Sequence, residues 1–361
     1  MTLRPLFIRS SLTQLTIEPG LLNFEICIKF KKSRIDPRTW GAAVRVGGNK
    51  RMNTSQEDRE RIDALSDLRR FVEITEARGE LKRIENADPH LEMGGLYELS
   101  LRDRYPPALM FERIQGCNAD RRVLTNVRFS RIFVGPLDLD AVIRHRAAGK
   151  WEEKSIPPEE VETGPVFQNI ITGDAVNIYD FPAVKWHDQD GGPYIGTECL
   201  VINKDPESDW VNLGTYRTQM HAPRKLTVFM EPGKHGALIS EKYWSKGLPC
   251  PMAVSVGQAP ILGVVAGTSS RSGISEYATA GGRIGQPIKV VRGKLTGLPI
   301  PADAELVFEG FMSPPTHETL PEGPFKFGKG RRNAQRLCYR IPHDESAASR
   351  LMLGSESWPH R

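Results

Sequence analysis

Beyond Pro165 the chain breaks into short aliphatic or β-branched runs, and this texture constrains its fold more than any other feature. The runs are residues 199–202, 210–216, 226–230, 253–256, 261–266, 288–291 and 304–308, separated by Gly, Pro and Asp turns. Several short strands at close spacing predict a barrel or split barrel rather than a doubly wound sheet. Residues 66–111 read differently. Ser66 is placed to cap a helix in which Leu68, Phe71 and Val72 recur at helical spacing, and Gly79 stops it. A short extended segment with Leu81 and Ile84 follows, then a helical pattern over 93–101 and a strand over 108–111, an alternation of α/β type. The expected class is therefore α+β, with an amino-terminal α/β domain over 52–160 and a β-barrel domain over 161–320. Within the first domain, residues 136–150 read as a helix and the acidic, proline-bearing run 151–165 as a linker.

Charge separates this body from its ends. Residues 1–51 hold ten Lys and Arg against three Asp and Glu, and residues 326–361 hold eight against three. That leaves 31 basic and 38 acidic side chains for 52–325, a net of −7 inside a chain whose total is +5. Basic ends can be nucleic-acid arms or a transit peptide. The simpler expectation is that 1–51 is a non-native or disordered extension, that Met52 is the natural start, and that no nucleic acid is bound. Residues 321–361 are set apart as a divergent, truncated tail. The longest apolar run, 261–266, is strand-sized, so membrane insertion is not expected. Five scattered cysteines without a CxxC pair suggest free thiols and a cytoplasmic location.

Four residues carry the candidate chemistry. Asn212, Arg217, His235 and Glu276 fall on successive short strands or turns of the β-rich stretch, and together offer an amide, a guanidinium, an imidazole and a carboxylate. Hard oxygens with a neutral nitrogen suit Mn²⁺ or Mg²⁺, and the Arg fork suits a carboxylate or phosphate. Asn212 and Arg217 are five apart and should diverge on a regular strand. A bulge at Gly214 would return them to one face. On the residues alone, a sheet edge with exposed polar side chains is the favoured explanation. His187, Asp188 and Asp190 read as a turn rather than ligands, and His221 as a loop cap. Gly191-Gly192 and Gly281-Gly282 could approach phosphate, but no GxGxxG follows a strand and no GxSxG elbow is present.

Taken in order, five motifs resemble the UbiD-type decarboxylases: Asn-Leu-Gly-Thr-Tyr-Arg at 212–217, Pro-Gly-Lys-His ending at His235, Gly-Ile-Ser-Glu276-Tyr before Ala-Gly-Gly, Pro-Ala-Asp-Ala-Glu-Leu-Val-Phe-Glu309-Gly, and Glu322-Gly-Pro-Phe. Asp67-Leu-Arg-Arg-Phe and Pro107-Ala-Leu-Met-Phe are similar to that family's amino-terminal domain, so the resemblance covers about residues 60–325. It implies a flavin-reductase-like split β-barrel and reversible, non-oxidative decarboxylation of aromatic, heteroaromatic or α,β-unsaturated acids with prenylated FMN, supplied by a flavin prenyltransferase. It also implies a homo-oligomer. Asn212, His235 and Glu276 would bind Mn²⁺ or Mg²⁺ at the flavin phosphate. Leu213, Gly214, Thr215, Tyr216, Arg217, Lys234, Ala266 and Gly267 would line the cofactor, and carbonyls near Val265, Ala266 and Thr268 would hold K⁺. Arg217 and Glu322 would be catalytic.

The chain departs from the family pattern after Phe325. There the family continues with Gly and a second Glu, the proton donor, whereas this chain has Lys326 and Phe327 and then runs basic to Arg361. A frame error or truncation, with the family's carboxy-terminal domain missing, accounts for both. The expectations are an impaired decarboxylase or, alternatively, a non-catalytic flavin- and metal-binding remnant. A metal-dependent hydrolase using Asn212, His235 and Glu276 has only the ligand types in its favour.

Overall fold

The computed structural model describes residues 56–103, 105–127, 154–268, 270–314, 319–321, 337–341 and 350–353, which all belong to one compact unit of the chain. The expectations for 1–51 and 136–150, and for Glu322, Lys326 and Phe327, lie outside the described residues. The architecture is mixed α+β.

Two helices open it, α1 (Gln56–Ser66) and α2 (Leu68–Ala77). The residue that caps α2 is Asp67, not Ser66. The Asp67 carboxylate accepts from Arg69 N at 2.7 Å and Arg70 N at 3.0 Å, while the Ser66 hydroxyl bonds back to Ile62 O and completes α1. A carboxylate satisfies two orphan N–H groups and complements the helix dipole, which a hydroxyl one residue earlier cannot do. Gly79, at φ +69°, ends the turn after α2, and Phe71, Val72 and Thr75 are buried.

The chain then forms β1 (Leu81–Glu85), α3 (Glu92–Ser100), β2 (Ala108–Glu112) and β3 (Val123–Thr125). Strands β1 and β2 are parallel, with Leu81 opposite Ala108, and β3 joins β2 antiparallel. Met93, Leu109, Phe111 and Ile114 form the core beneath α3. Part of the expected linker is a strand: β4 (Glu159–Glu160) runs parallel to β12 (Lys289–Arg292), which pairs in turn with β13 (Pro299–Pro301). Charge complementarity explains what composition concealed, because Arg292 holds Glu160 through a two-pronged ion pair at 2.9 and 2.7 Å.

The remaining strands are β5 (Asn169–Thr172), β6 (Tyr194–Gly196), β7 (Leu200–Lys204), β8 (Val211–Gly214), β9 (Thr218–Ala222), β10 (Lys225–Val228), β11 (Cys250–Val256), β14 (Leu306–Met312), β15 (Thr319–Pro321), β16 (Leu337–Ile341) and β17 (Arg350–Leu353). They form a six-stranded sheet ordered β5-β17-β14-β11-β7-β8 and a five-stranded sheet ordered β15-β16-β10-β9-β6, both antiparallel. Two segments of the tail expected to stand apart are thus interior strands. Strand β16 lies between β15 and β10, and β17 between β14 and β5. Net charge hid them, whereas Leu-Cys-Tyr-Arg-Ile and Arg-Leu-Met-Leu are strand-forming compositions.

Three helices flank these sheets: α4 (His235–Trp244), α5 (Pro260–Ala266) and α6 (Glu276–Ile284). Residues 261–266, expected as a strand, are the helix α5. A short apolar run cannot be assigned by periodicity, and Pro260 in the first turn favours the helix. Its Ile261, Leu262 and Val265 join Leu200, Leu213, Tyr277 and Val291 in the largest core cluster.

Asp303, in the turn after β13, is held up to about 6 by burial, with the Asp67 carboxylate adding to the effect. A carboxyl raised above its unfolded value of 3.8 contributes most below that pH, and the contribution is lost as pH rises through 6. Asp303→Asn should therefore stabilise the protein at pH 7 by about 1–3 kcal/mol, discounted for partial exposure, and the gain should vanish below pH ~4. Urea unfolding at the two pH values measures it, and equal stability of both proteins at pH 7 would contradict it.

Candidate active site

Strand β8 is the edge of the six-stranded sheet, and its outward face organises the candidate site. An edge strand presents unpaired N–H groups that need a partner or water. Leu213 N finds Glu276 Oε2 at 2.9 Å. Glu276 is 2% exposed and occupies the first turn of α6, whose Ser275 cap accepts from Tyr277 N at 3.3 Å. The buried carboxylate is thus held by a backbone N–H and by the positive end of a helix.

Gly214 is not a bulge. The β7–β8 register runs regularly from Lys204 opposite Val211 to Val201 opposite Gly214, and the strand ends there. Its glycine serves the Tyr216 ring, which lies where a Gly214 Cβ would be. The Tyr216 hydroxyl accepts from Gly236 N at 3.2 Å in the first turn of α4 and is also bonded by the Asn212 side chain. Burial, opposed by Gly236 N–H and reinforced by the Glu276 charge, pushes this phenol above its ordinary value, so it stays neutral. Tyr216 therefore ties β8 to the start of α4, and Glu276 ties β8 to the start of α6.

His235 and Glu276 are consequently first residues of helices, not residues of strands or turns. The His235 ring packs edge-on against Trp210 at 4.9 Å, and its Nε2 lies 3.2 Å from Ser272 Oγ. Burial, and secondly the Lys234 charge, push this imidazole below its usual value, so it is neutral and able to ligate at neutral pH. Lys234 itself is exposed and occupies the N-cap position of α4 without a side-chain capping bond. Asn212 is buried, and its Nδ2 donates to Asn203 Oδ1 at 3.1 Å, which turns its own oxygen away from Asn203.

Arg217 lies beyond the strand. Its carbonyl accepts from Phe229 N at 3.1 Å, and its guanidinium stacks 4.2 Å above the Phe229 ring. Thr215 Oγ1 sits beside Gly267 at the end of α5, next to Ala266. Val265 O, in the stretch whose carbonyls were expected to hold K⁺, accepts from Thr268 N at 3.0 Å and Thr268 Oγ1 at 2.9 Å. Gly281 and Gly282 take the Ile156 and Lys154 carbonyls against α6. His221 is a β9 residue whose Nε2 lies 3.0 Å from Thr227 Oγ1, not a loop cap. His187 and Asp190 do form a turn, with His187 N donating to Asp190 Oδ2 at 3.0 Å. Glu322 lies outside the described residues.

Among the described residues no three His, Cys, Asp or Glu side chains group as metal ligands. Asn212, His235 and Glu276 supply one amide, one neutral imidazole and one carboxylate around the end of β8, a donor set that fits a hard divalent ion. Trp210 Nε1, buried beside His235, has no hydrogen-bond partner among the described residues and suits an incoming anion. Asn203, Trp210 and Ser272 were missed in the sequence. Asn203 is opposite Asn212 only once the β7–β8 register is known.

Two family models match the chain. The 3-octaprenyl-4-hydroxybenzoate carboxy-lyase Rift-related domain matches residues 159–334, and the amino-terminal domain of the same carboxy-lyase matches residues 72–132. A pyrrole-2-carboxylic acid decarboxylase from Pseudomonas aeruginosa is 32% identical over 276 residues, 72% of this chain and 54% of the relative. Vanillic acid decarboxylase of Sedimentibacter hydroxybenzoicus, in its closed form, superposes with TM-score 0.71 at 27% identity, covering 81% of this chain and 62% of that one. The UbiD-class enzyme HmfF of Pelotomaculum thermopropionicum, solved with FMN, does so with TM-score 0.67 at 25% identity, covering 80% and 62%. The chain belongs to the UbiD-type decarboxylase family. It spans little more than half the length of the pyrrole-2-carboxylic acid decarboxylase.

Glycine geometry gives a test with two signs. Gly214→Ala should cost about 1–3 kcal/mol, because its Cβ displaces the Tyr216 ring. Gly95→Ala, in α3 with nothing within 4 Å of the new Cβ, should gain up to about 1 kcal/mol. Thermal unfolding of both variants reports the difference, and equal shifts would contradict the packing described for Tyr216.

Proposed function

We propose that this chain is the cofactor-holding part of a decarboxylase for aromatic or heteroaromatic carboxylic acids that works with prenylated FMN and one divalent ion, Mn²⁺ or Mg²⁺. The observation that carries the reading is the meeting of two helix starts on the end of β8, through Leu213 N–H to Glu276 and Gly236 N–H to the Tyr216 hydroxyl. Two helix starts beside one strand end make a place for a phosphate and its counter-ion. Relatives named for pyrrole-2-carboxylic and vanillic acids, and a UbiD-class structure holding FMN, support the substrate and cofactor classes.

The chain's own residues have separable tasks. First-turn N–H groups of α4 and the Lys234 ammonium bind the phosphate, while Asn212, His235 and Glu276 hold the ion that neutralises it. Arg217 presents its fork to the substrate carboxylate, and stacking on Phe229 limits the torsions it must lose on binding. A bound prenylated FMN supplies the electron sink for the pair left on carbon when CO₂ departs. Glu322, by family pattern, pairs with Arg217 and keeps its charge state suited to proton return. A flavin prenyltransferase supplies the cofactor.

Proton delivery is the weak step. The position two residues past Phe325 is Phe327, which carries no acid, and a missing general acid costs about 10² to 10⁴ in rate. This favours a second reading, a flavin- and metal-binding remnant that turns over slowly or not at all. Co-expression with a flavin prenyltransferase should give protein with a flavin absorbance band and weak decarboxylation of aromatic acids. Lys326→Gly with Phe327→Glu should raise the rate by about 10² or more, and Arg217→Ala in that protein should abolish turnover while the band persists. Absence of the band would contradict the reading, and a band without turnover in the repaired protein would leave only the remnant.

A further inference from the structure

We infer that Asn203 is the positioning residue that sets the Asn212 amide for cation binding and couples it to the helix carrying His235. This rests on the metal reading of Asn212, His235 and Glu276 given above. Asn203 is fully buried on β7, directly across the ladder from Asn212. Both halves of its amide are committed. Its Oδ1 accepts from Asn212 Nδ2 at 3.1 Å, while its Nδ2 donates to Gly236 O at 2.9 Å and lies 3.4 Å from Ser240 Oγ.

A side-chain amide has two near-equivalent ends, and only the oxygen ligates a cation. With the Asn203 oxygen facing it, the Asn212 amide has one satisfied orientation: nitrogen toward β7 and oxygen away from it. The reverse orientation would set two oxygens against each other in a buried site, an unpaired contact costing on the order of 1–3 kcal/mol. Asn203 cannot reverse in compensation, because its own nitrogen is spent on Gly236 O, one residue past His235. Ser240 Oγ donates to the same Gly236 carbonyl at 2.8 Å and does not touch Asn212. One buried amide therefore relates two ligands that come from different elements, an edge strand and a helix start. Partners of this kind, which touch a ligand rather than the ion, change metal affinity by about tenfold to a hundredfold when removed.

The experiment uses the full chain, with Mn²⁺ titrated in the presence of FMN and free Mn²⁺ read from its EPR signal. Asn203→Leu should weaken Mn²⁺ uptake by about tenfold to a hundredfold. Asn203→Asp, which keeps an acceptor for Asn212 Nδ2, should restore most of that loss. Ser240→Ala loosens α4 without touching Asn212 and should leave uptake within about twofold, whatever it does to the melting temperature. If Asn203→Leu does not fold, Asn203→Ala, which leaves room for water at Gly236 O, carries the same expectation. Unchanged uptake in the folded Asn203 variant, or a parallel loss in Ser240→Ala, would overturn the inference alone. A wild-type chain that takes up no Mn²⁺ with FMN present, and matches Glu276→Gln in this, would overturn the metal reading and the inference with it.

Discussion

The hydrogen bond from Leu213 N to Glu276 Oε2 is the contact on which the candidate site depends. Glu276 is a carboxylate 2% exposed, and an ionised carboxylate without partners in such surroundings would neutralise or unfold its environment. Two features make it tolerable: the first-turn position on α6 and the outward N–H of an edge strand. The same bond answers the strand's own need for a partner. Breaking it removes a partner from a buried carboxylate and from an edge-strand donor at once, which is costly for both.

From that contact the rest of the site follows by close approach. Gly214 ends β8 without a side chain, so the Tyr216 ring folds back over it and its hydroxyl reaches Gly236 N on α4. Gly236 likewise lacks a Cβ where the Tyr216 ring and the Met230 sulfur lie. The starts of α4 and α6 are thereby drawn to one strand end, where their dipoles add. A body with net negative charge thus keeps a local place for an anion, and the Asn203–Asn212 pair stands beneath it.

Much of this architecture was legible in the sequence, and the failures have physical causes. Runs such as 253–256 and 288–291 are strands because β-branched residues bounded by turns fit a pleated, buried surface. Residues 261–266 were not, since six apolar residues carry no usable period and only Pro260 favours a helix. The site residues were legible through an ordered set of motifs. Their setting was not: His235 and Glu276 begin helices that simple texture reads as turns, and Gly214 serves an aromatic ring two residues on. Asn203 was invisible because its meaning depends on a cross-strand register. The strands at 337–341 and 350–353 were hidden by a charge count that says nothing about pairing.

The central claim is that Asn212, His235 and Glu276 hold one divalent ion beside a flavin phosphate. Diffraction from crystals of the full chain grown with FMN and Mn²⁺, collected at the manganese absorption edge, tests it most directly. The account predicts one strong anomalous peak within about 2.0 to 2.6 Å of the Asn212 amide oxygen, a His235 ring nitrogen and a Glu276 carboxylate oxygen, with flavin density at the start of α4. Flavin density there with no anomalous peak at these three side chains, or a peak held by other residues, would contradict it.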